Sequence, residues 1–282
     1  MIQSVSVVGA GTMGNGIALA AAIKNFPVIL CDINAAVLEA AQKTIDQNLQ
    51  TLVNKQKITP AEKETTQGNI SFTTVITGCK TDLVIEAVVE RMDVKLAIFQ
   101  QLAAVNDAAS ILASNTSSLS INALQKEILQ PERVAGLHFF NPAHIMKLVE
   151  VVQGEHTSAD TAQQLMEFCK AIQKVPVLCK DAPGFIVNRV ARHYYLEAMH
   201  LAAHNNIPVA QIDAAMEAAG FKMGPFRLMD MIGMDINLAV SRSLYEAFDE
   251  APRFKPSPLQ VEKVEKGELG RKTGKGFYEY NS

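Results

Sequence analysis

No tryptophan occurs in the 282 residues, and aromatic residues make up only 6%. The core must therefore be aliphatic, which suits helices packed on a parallel sheet. No CxxC pair occurs either. Cys31, Cys79, Cys169 and Cys179 are scattered, which points to reduced, mostly buried thiols, a cytoplasmic compartment and no metal centre. A basic excess is also missing: 26 Lys and Arg stand against 29 Asp and Glu, a net charge of -3. No nucleic-acid surface is expected from that balance, although it does not exclude a polyanionic ligand held by a few placed lysines. The longest purely apolar run, Ile17 to Ile23, ends at Lys24 and is far too short for a bilayer. The start, Met1-Ile2-Gln3-Ser4, has no basic region, so no signal peptide is expected. What is present is ordinary for a globular protein: 48% hydrophobic and 20% charged residues, with length enough for two domains.

The first half alternates between strand-like and helix-like segments. Val5 to Val8, Val28 to Cys31, Asp82 to Val89, Ser110 to Ala113, Val134 to Phe140 and Leu148 to Val152 read as buried strands. Thr12 to Lys24 and Asn34 to about Val53 read as helices, the second with Val37, Ala41, Ile45, Leu49 and Leu52 on one face. That alternation predicts an α/β domain with a Rossmann-type, doubly wound parallel sheet. The character changes near Lys180-Asp181-Ala182-Pro183-Gly184. Helical patterns follow at 185–204, 208–219, 225–232, 238–248 and 258–266, with no convincing strand before Phe277-Tyr278. The expected organisation is a dinucleotide-binding domain over 1–182 and an all-α domain over 183–282.

Gly9-Ala10-Gly11-Thr12-Met13-Gly14 is G-x-G-x-x-G, placed between the first strand and a helix. Gly9 permits the tight turn, Gly11 lets backbone approach a pyrophosphate, and Gly14 permits close helix–strand packing, with the helix start of Thr12 and Met13 attracting the anion. Asp32 closes the second strand 23 residues after Gly9, where a carboxylate meets the adenosine ribose and repels a 2′-phosphate. NAD is expected over NADP.

His138 ends an apolar strand just before Phe139-Phe140-Asn141-Pro142, and Glu150 lies amid aliphatics in the next run. His138 reads either as a satisfied core histidine or as a general base. In the second case a carboxylate on one ring nitrogen fixes the tautomer and prepares the other. Ser114-Asn115-Thr116-Ser117-Ser118-Leu119-Ser120 reads as a helix cap or as hydroxyl donors facing the same crevice. Asn188 is expected about one turn into the first helix of the second domain, among Phe185, Ile186, Val187 and Val190.

These residues together resemble the 3-hydroxyacyl-CoA dehydrogenase family, most of all the short monofunctional 3-hydroxybutyryl-CoA dehydrogenases of bacteria. The similarity covers essentially the whole chain. It is carried by the 114–118 and 138–142 motifs, by Asp181 to Arg189, by Gly224-Pro225-Phe226 with Asp230, and by Leu269 to Tyr278. The resemblance implies that His138 is the catalytic base, Glu150 its partner, and that Ser117 and Asn188 surround the substrate's 3-oxygen and thioester. It places Glu90, Lys95, Asn115, Ser117, Asn141 and Lys272 near NAD, and Asn48 and Lys55 on CoA. Read from the residues alone, Lys55 and Lys57 are equally a solvated helix end. The resemblance further implies an acyl-CoA thioester substrate with an (S) hydroxyl. Asn25-Phe26-Pro27 departs from the family, which often has a Gly-containing turn there. Met223, Met229, Met231 and Met234 read as core or, with the resemblance, as a homodimer interface. Two other readings remain: a related dehydrogenase acting on a free hydroxyacid, and a Rossmann module used as a redox sensor.

Overall fold

The computed structural model describes residues 1–280. The chain divides into two units, Met1–Ala182 and Pro183–Ser282, the latter described through Tyr280.

In the first unit, eight short strands form one sheet: β1 (Val5–Val8), β2 (Val28–Cys31), β3 (Ile70–Thr73), β4 (Leu83–Glu86), β5 (Ile111–Ser114), β6 (Val134–Phe139), β7 (Leu148–Gln153) and β8 (Val175–Lys180). Their order is β3-β2-β1-β4-β5-β6-β7-β8. The first six strands are parallel, in the 3-2-1-4-5-6 order of a doubly wound dinucleotide fold. The doubly wound parallel sheet expected from the sequence is present, with a reversal added at one edge. β7 runs antiparallel to β6, and β8 follows β7. The connection at 140–147 is too short to carry a crossover helix, so the chain can only turn back.

Six helices cover the sheet: α1 (Thr12–Ala22), α2 (Ala35–Asn54), α3 (Pro60–Gly68), α4 (Met92–Val105), α5 (Ile121–Gln125) and α6 (Ala159–Ala171). Strand residues alternate between the two faces. Leu83 and Ile85 join Ile17, Ile45 and Leu165 on one side, while Val84 joins Phe99 and Leu102 on the other. On α2 the buried positions are Leu38, Ala41, Ile45 and Leu49; Val37 and Leu52 are only half-buried. Asn25 takes a left-handed conformation, φ 63°, which asparagine tolerates better than most residues. That is how the turn before β2 forms without glycine.

The second unit contains α7 (Val187–His204), α8 (Val209–Ala218), α9 (Pro225–Ile232), α10 (Met234–Ala247) and α11 (Pro258–Glu265). Its core gathers Tyr195, Met199, Ile212, Phe226, Met229 and Met234. The pattern around Phe277-Tyr278 gives only isolated bridges, Gly270 with Lys275 and Lys275 with Glu279. Met229 and Met234 are core, whereas Met231 is exposed.

Two buried acids explain the motifs of this unit. The Asp230 carboxylate accepts from the backbone N–H of Phe277 and Tyr278 and from the Tyr280 hydroxyl. Gly276 sits so close that an added Cβ would lie 2.1 Å from Asp230 Oδ1. Asp213 accepts from Phe226 and Arg227 N–H and from the Tyr278 hydroxyl.

Candidate active site

The carboxyl ends of the parallel strands gather the polar residues. β1 ends in Gly9, whose φ is +100° and where a Cβ would lie 2.6 Å from the Ala87 carbonyl oxygen. A Cβ on Gly14 would lie 1.7 Å from the Gly9 carbonyl, so only glycine lets α1 start this close to β1. Gly11 differs: a Cβ there would meet nothing within 4 Å. α1 begins with no side-chain cap and no acidic residue in its first turn. Its N–H groups and positive dipole end are thus left for an anion.

Asp32, just past β2, accepts from Ala10 N–H at 2.9 Å with one oxygen and from Asn34 N–H at 2.9 Å with the other. Each oxygen keeps a lone pair for a sugar hydroxyl. An open cavity of about 460 Å³ adjoins this loop, walled by α1, α2 and the 141–144 turn; Gly11, Thr12, Asn48 and Asn141 line it. The Met13 side chain packs against the core instead. A bare helix start, an open Gly11 and a ribose-level carboxylate fit a bound dinucleotide.

The turn over that cavity is held down from behind. Lys174, nearly buried, donates to the carbonyls of Ala143 at 2.6 Å and Met146 at 2.8 Å. Burial lowers its pKa.

His138 and Glu150 are directly opposed residues of the antiparallel β6–β7 ladder, so both side chains leave the same face. His138 Nδ1 lies 2.7 Å from Glu150 Oε2, and both residues are buried. The Phe140 ring lies against the imidazole, centroids 4.5 Å apart. With Nδ1–H donating to the carboxylate, Nε2 is the acceptor nitrogen of the neutral ring. Asn115, beyond β5, accepts from Phe139 N–H at 2.9 Å. Its amide therefore braces the strand that carries His138.

A second cluster joins β4, β5 and α4. Lys95, 1% exposed, reaches Glu86 at 2.7 Å and Glu90 at 3.3 Å. Glu86 also accepts from Ser114 Oγ at 2.7 Å and Val88 N–H at 2.7 Å. Glu90 accepts from Thr116 Oγ1 at 2.6 Å and Ser117 N–H at 2.9 Å. Burial alone would raise the Glu90 pKa, but Lys95 and these donors outweigh it and hold the carboxyl below its usual value. Glu86 escaped the sequence reading. The available signal was an acid closing the apolar run Leu83-Val84-Ile85, which needs a buried partner.

Other candidates fall elsewhere. Lys55 caps the end of α2, is exposed and is not among the cavity-lining residues. Ser120 caps α5 and donates to Asp181, so part of the hydroxyl run serves local structure. Asn188 is the second residue of α7, nearer its start than expected. Lys272 pairs with Asp235 at 2.5 Å within the second unit. Among the described residues no group of His, Cys, Asp and Glu could hold a metal ion, and no helix is long and apolar enough to cross a membrane.

Comparison with known proteins gives two family matches. Residues 4–182 match "3-hydroxyacyl-CoA dehydrogenase, NAD binding domain", and residues 184–280 match the C-terminal domain of the same family. The 3-hydroxyadipyl-CoA dehydrogenase of Escherichia coli is 47% identical over all of this chain, which spans 60% of that relative's length. The mitochondrial hydroxyacyl-coenzyme A dehydrogenase of Rattus norvegicus is 41% identical over 99% of the chain and 92% of its own length. The crystal structure of (S)-3-hydroxybutyryl-CoA dehydrogenase from Ralstonia eutropha superposes with TM-score 0.96 and 39% identity over the full length of both chains.

Proposed function

The chain belongs to the NAD-binding 3-hydroxyacyl-CoA dehydrogenase family, and on that premise we propose that it interconverts an (S)-3-hydroxyacyl-CoA and a 3-ketoacyl-CoA with His138 as base. The observation that carries this reading is the 2.7 Å bond between His138 Nδ1 and Glu150 in a buried cross-strand pair. NAD, bound along Gly9 to Gly14 and Asp32, supplies the hydride acceptor. His138 Nε2 takes the hydroxyl proton as the hydride leaves C3, and returns it in the reverse direction. Glu150 holds the ring and stabilises its charged form. Ser117 and Asn188 orient the 3-oxygen and thioester; Glu90, Lys95, Asn115, Asn141 and Lys272 serve the nicotinamide half; Asn48 and Lys55 serve CoA. A four-carbon acyl group is the first choice of substrate. The name of the E. coli relative supports a second, a six-carbon chain ending in a carboxylate.

The test is His138→Gln. Loss of the base should lower turnover by about 10²–10⁴-fold while NADH still binds with wild-type affinity. Turnover close to wild type would remove His138 from the reaction. Cofactor choice is read from rates with NADH and NADPH at saturating substrate, where a clear NADPH preference would overturn the role given to Asp32.

We place the enzyme in the cytoplasm. All four cysteines are unpaired, and burial pushes the Cys169 and Cys179 thiols up to about 12, which suits a reducing compartment. We also propose a homodimer formed through the second unit. Its exposed apolar side chains Val190, Phe221, Met231 and Ile236 support this, and sedimentation decides it.

A further inference from the structure

The ends of β4 and β5 hold one more acid than base. Glu86 closes β4 and is fully buried. Its Oε1 accepts from Lys95 Nζ and from Val88 N–H, each at 2.7 Å, and its Oε2 accepts from Ser114 Oγ at 2.7 Å. Ser114 Oγ accepts in turn from Thr116 N–H at 3.2 Å. One side chain thus ties together the loop after β4, the first turn of α4 and the loop after β5. Lys95 also faces Glu90 at 3.3 Å, and the Glu90 side chain is 38% exposed. Among the described residues Lys95 is the only cation paired with either acid. Neighbouring Arg91 and Asp93 pair with each other and add no net charge. The cluster therefore sets two carboxylates around one ammonium. Its excess negative charge has its open side at Glu90.

Sheet topology says what that charge faces. β1 and β4 flank the switch point of the strand order, and a dinucleotide lies across such a point with one nucleotide on each half. Asp32, after β2, marks the β1–β3 half as the adenosine half. The other nucleotide then passes over the ends of β4 and β5. The two halves meet closely there: a Cβ on Gly9 would lie 2.6 Å from the Ala87 carbonyl oxygen and 3.0 Å from Val88 Cγ1. The nicotinamide ring is positively charged in NAD+ and neutral in NADH. A fixed negative charge near it stabilises the charged ring and leaves the neutral one almost untouched. We propose that Glu86, acting through Lys95 and Glu90, biases the bound cofactor toward its oxidised form. Without Glu86 the cluster would be a neutral Lys95–Glu90 pair. Glu86 is a positioning residue, since its contacts are with the two loops and α4. The inference rests on NAD binding along Gly9 to Gly14 and Asp32, as proposed above.

The test is equilibrium binding at neutral pH, with NADH followed by its own fluorescence and NAD+ by displacement of NADH. Glu86→Gln keeps the shape of the side chain. Its amide oxygen can accept from Lys95 and Val88, and its N–H can donate to Ser114 Oγ. The ratio of the NAD+ Kd to the NADH Kd should rise about tenfold, the worth of one charge acting over about 10 Å at the effective dielectric of a protein. The midpoint of the bound couple would then move up by about 30 mV. A purely structural role would weaken both forms alike and leave the ratio where it was. An unchanged or lowered ratio, whatever the two affinities, therefore overturns the inference. Should this variant fail to fold, Glu90→Gln removes the same excess charge from the exposed end of the cluster. The same rise is expected, and an unchanged ratio there overturns the inference as well. A wild-type chain that binds neither NAD+ nor NADH overturns the cofactor reading itself. Binding of both with an unmoved ratio in the variants overturns only the role of Glu86 and leaves the reaction standing.

Discussion

The two units bury charge in different ways around their central acids and bases. In the first, the groups at the candidate site meet their opposites, Lys95 between Glu86 and Glu90 and His138 on Glu150, while Lys174 and Arg133, away from it, donate to backbone carbonyls. In the second, Asp230 and Arg192 are met only by neutral dipoles, backbone N–H and a tyrosine hydroxyl for one, amide and hydroxyl oxygens for the other. Paired charges fix geometry where a proton and a hydride are to move. Dipoles do two other things. Around Asp230 they tie the closing turn of the chain to α9; around Arg192 they hold a buried guanidinium between α7 and α10.

Breaking the pairing in the first unit should give the largest effect on stability. Lys95→Met leaves the buried Glu86 without its counter-charge, which costs about 3–5 kcal/mol. The melting temperature should fall by about 2–4 °C for each of these. An unchanged melt would mean that the pair is not the support it looks like. Asp230→Asn tests the dipole mode. An amide nitrogen would then face donors, at about 1–3 kcal/mol, read from the urea midpoint; a loss as large as that of Lys95→Met would erase the distinction between the units.

Acid titration sharpens it further. Glu90 is held below its usual value of 4.5. A carboxyl with a depressed folded-state pKa contributes stability above the unfolded value, and that contribution is lost as pH falls through the folded value. Glu90→Gln should therefore flatten the decline in stability below about pH 4.5. A decline identical to wild type would assign the acid limb to other groups. The smallest effect is expected at Lys272, whose pair with Asp235 is about two-fifths exposed. Lys272→Ala should cost at most about 1 kcal/mol. Its proposed place near the nicotinamide predicts a rise in the KM for NADH that outweighs any change in melting temperature.

The fold was legible wherever apolar runs were continuous. β1, β2, β4, β5, β6 and β7 all stand out that way, as does α2. β3 and β8 did not, because both are edge strands. Ile70–Thr73 mixes polar and apolar residues, and Val175–Lys180 contains Pro176, which edge strands tolerate. α3, Pro60–Gly68, has almost no apolar face to announce it. At the site, His138 and Glu150 were visible as residues, but their spacing alone left the pairing open. It became definite only with the reversal of β7, a tertiary fact that no local pattern encodes. In the second unit, the Gly224-Pro225-Phe226 and Leu269–Tyr278 motifs carried the resemblance, and the structure shows Phe226 and Tyr278 donating to Asp213 and Phe277 and Tyr278 donating to Asp230. Arg192 carried no signal at all, since an arginine in a helix is ordinarily at the surface.

The β6–β7 ladder also limits how this sequence can drift. Because His138 and Glu150 face each other through a register with a two-residue period, an inserted or deleted residue inside either strand would send one of them to the other side of the sheet. The 140–147 turn lies outside the ladder and is free of that parity, although Lys174 restrains its path. Related chains should therefore differ in length at the turn and keep an unbroken count of residues from His138 to the last rung of β6 and from the first rung of β7 to Glu150.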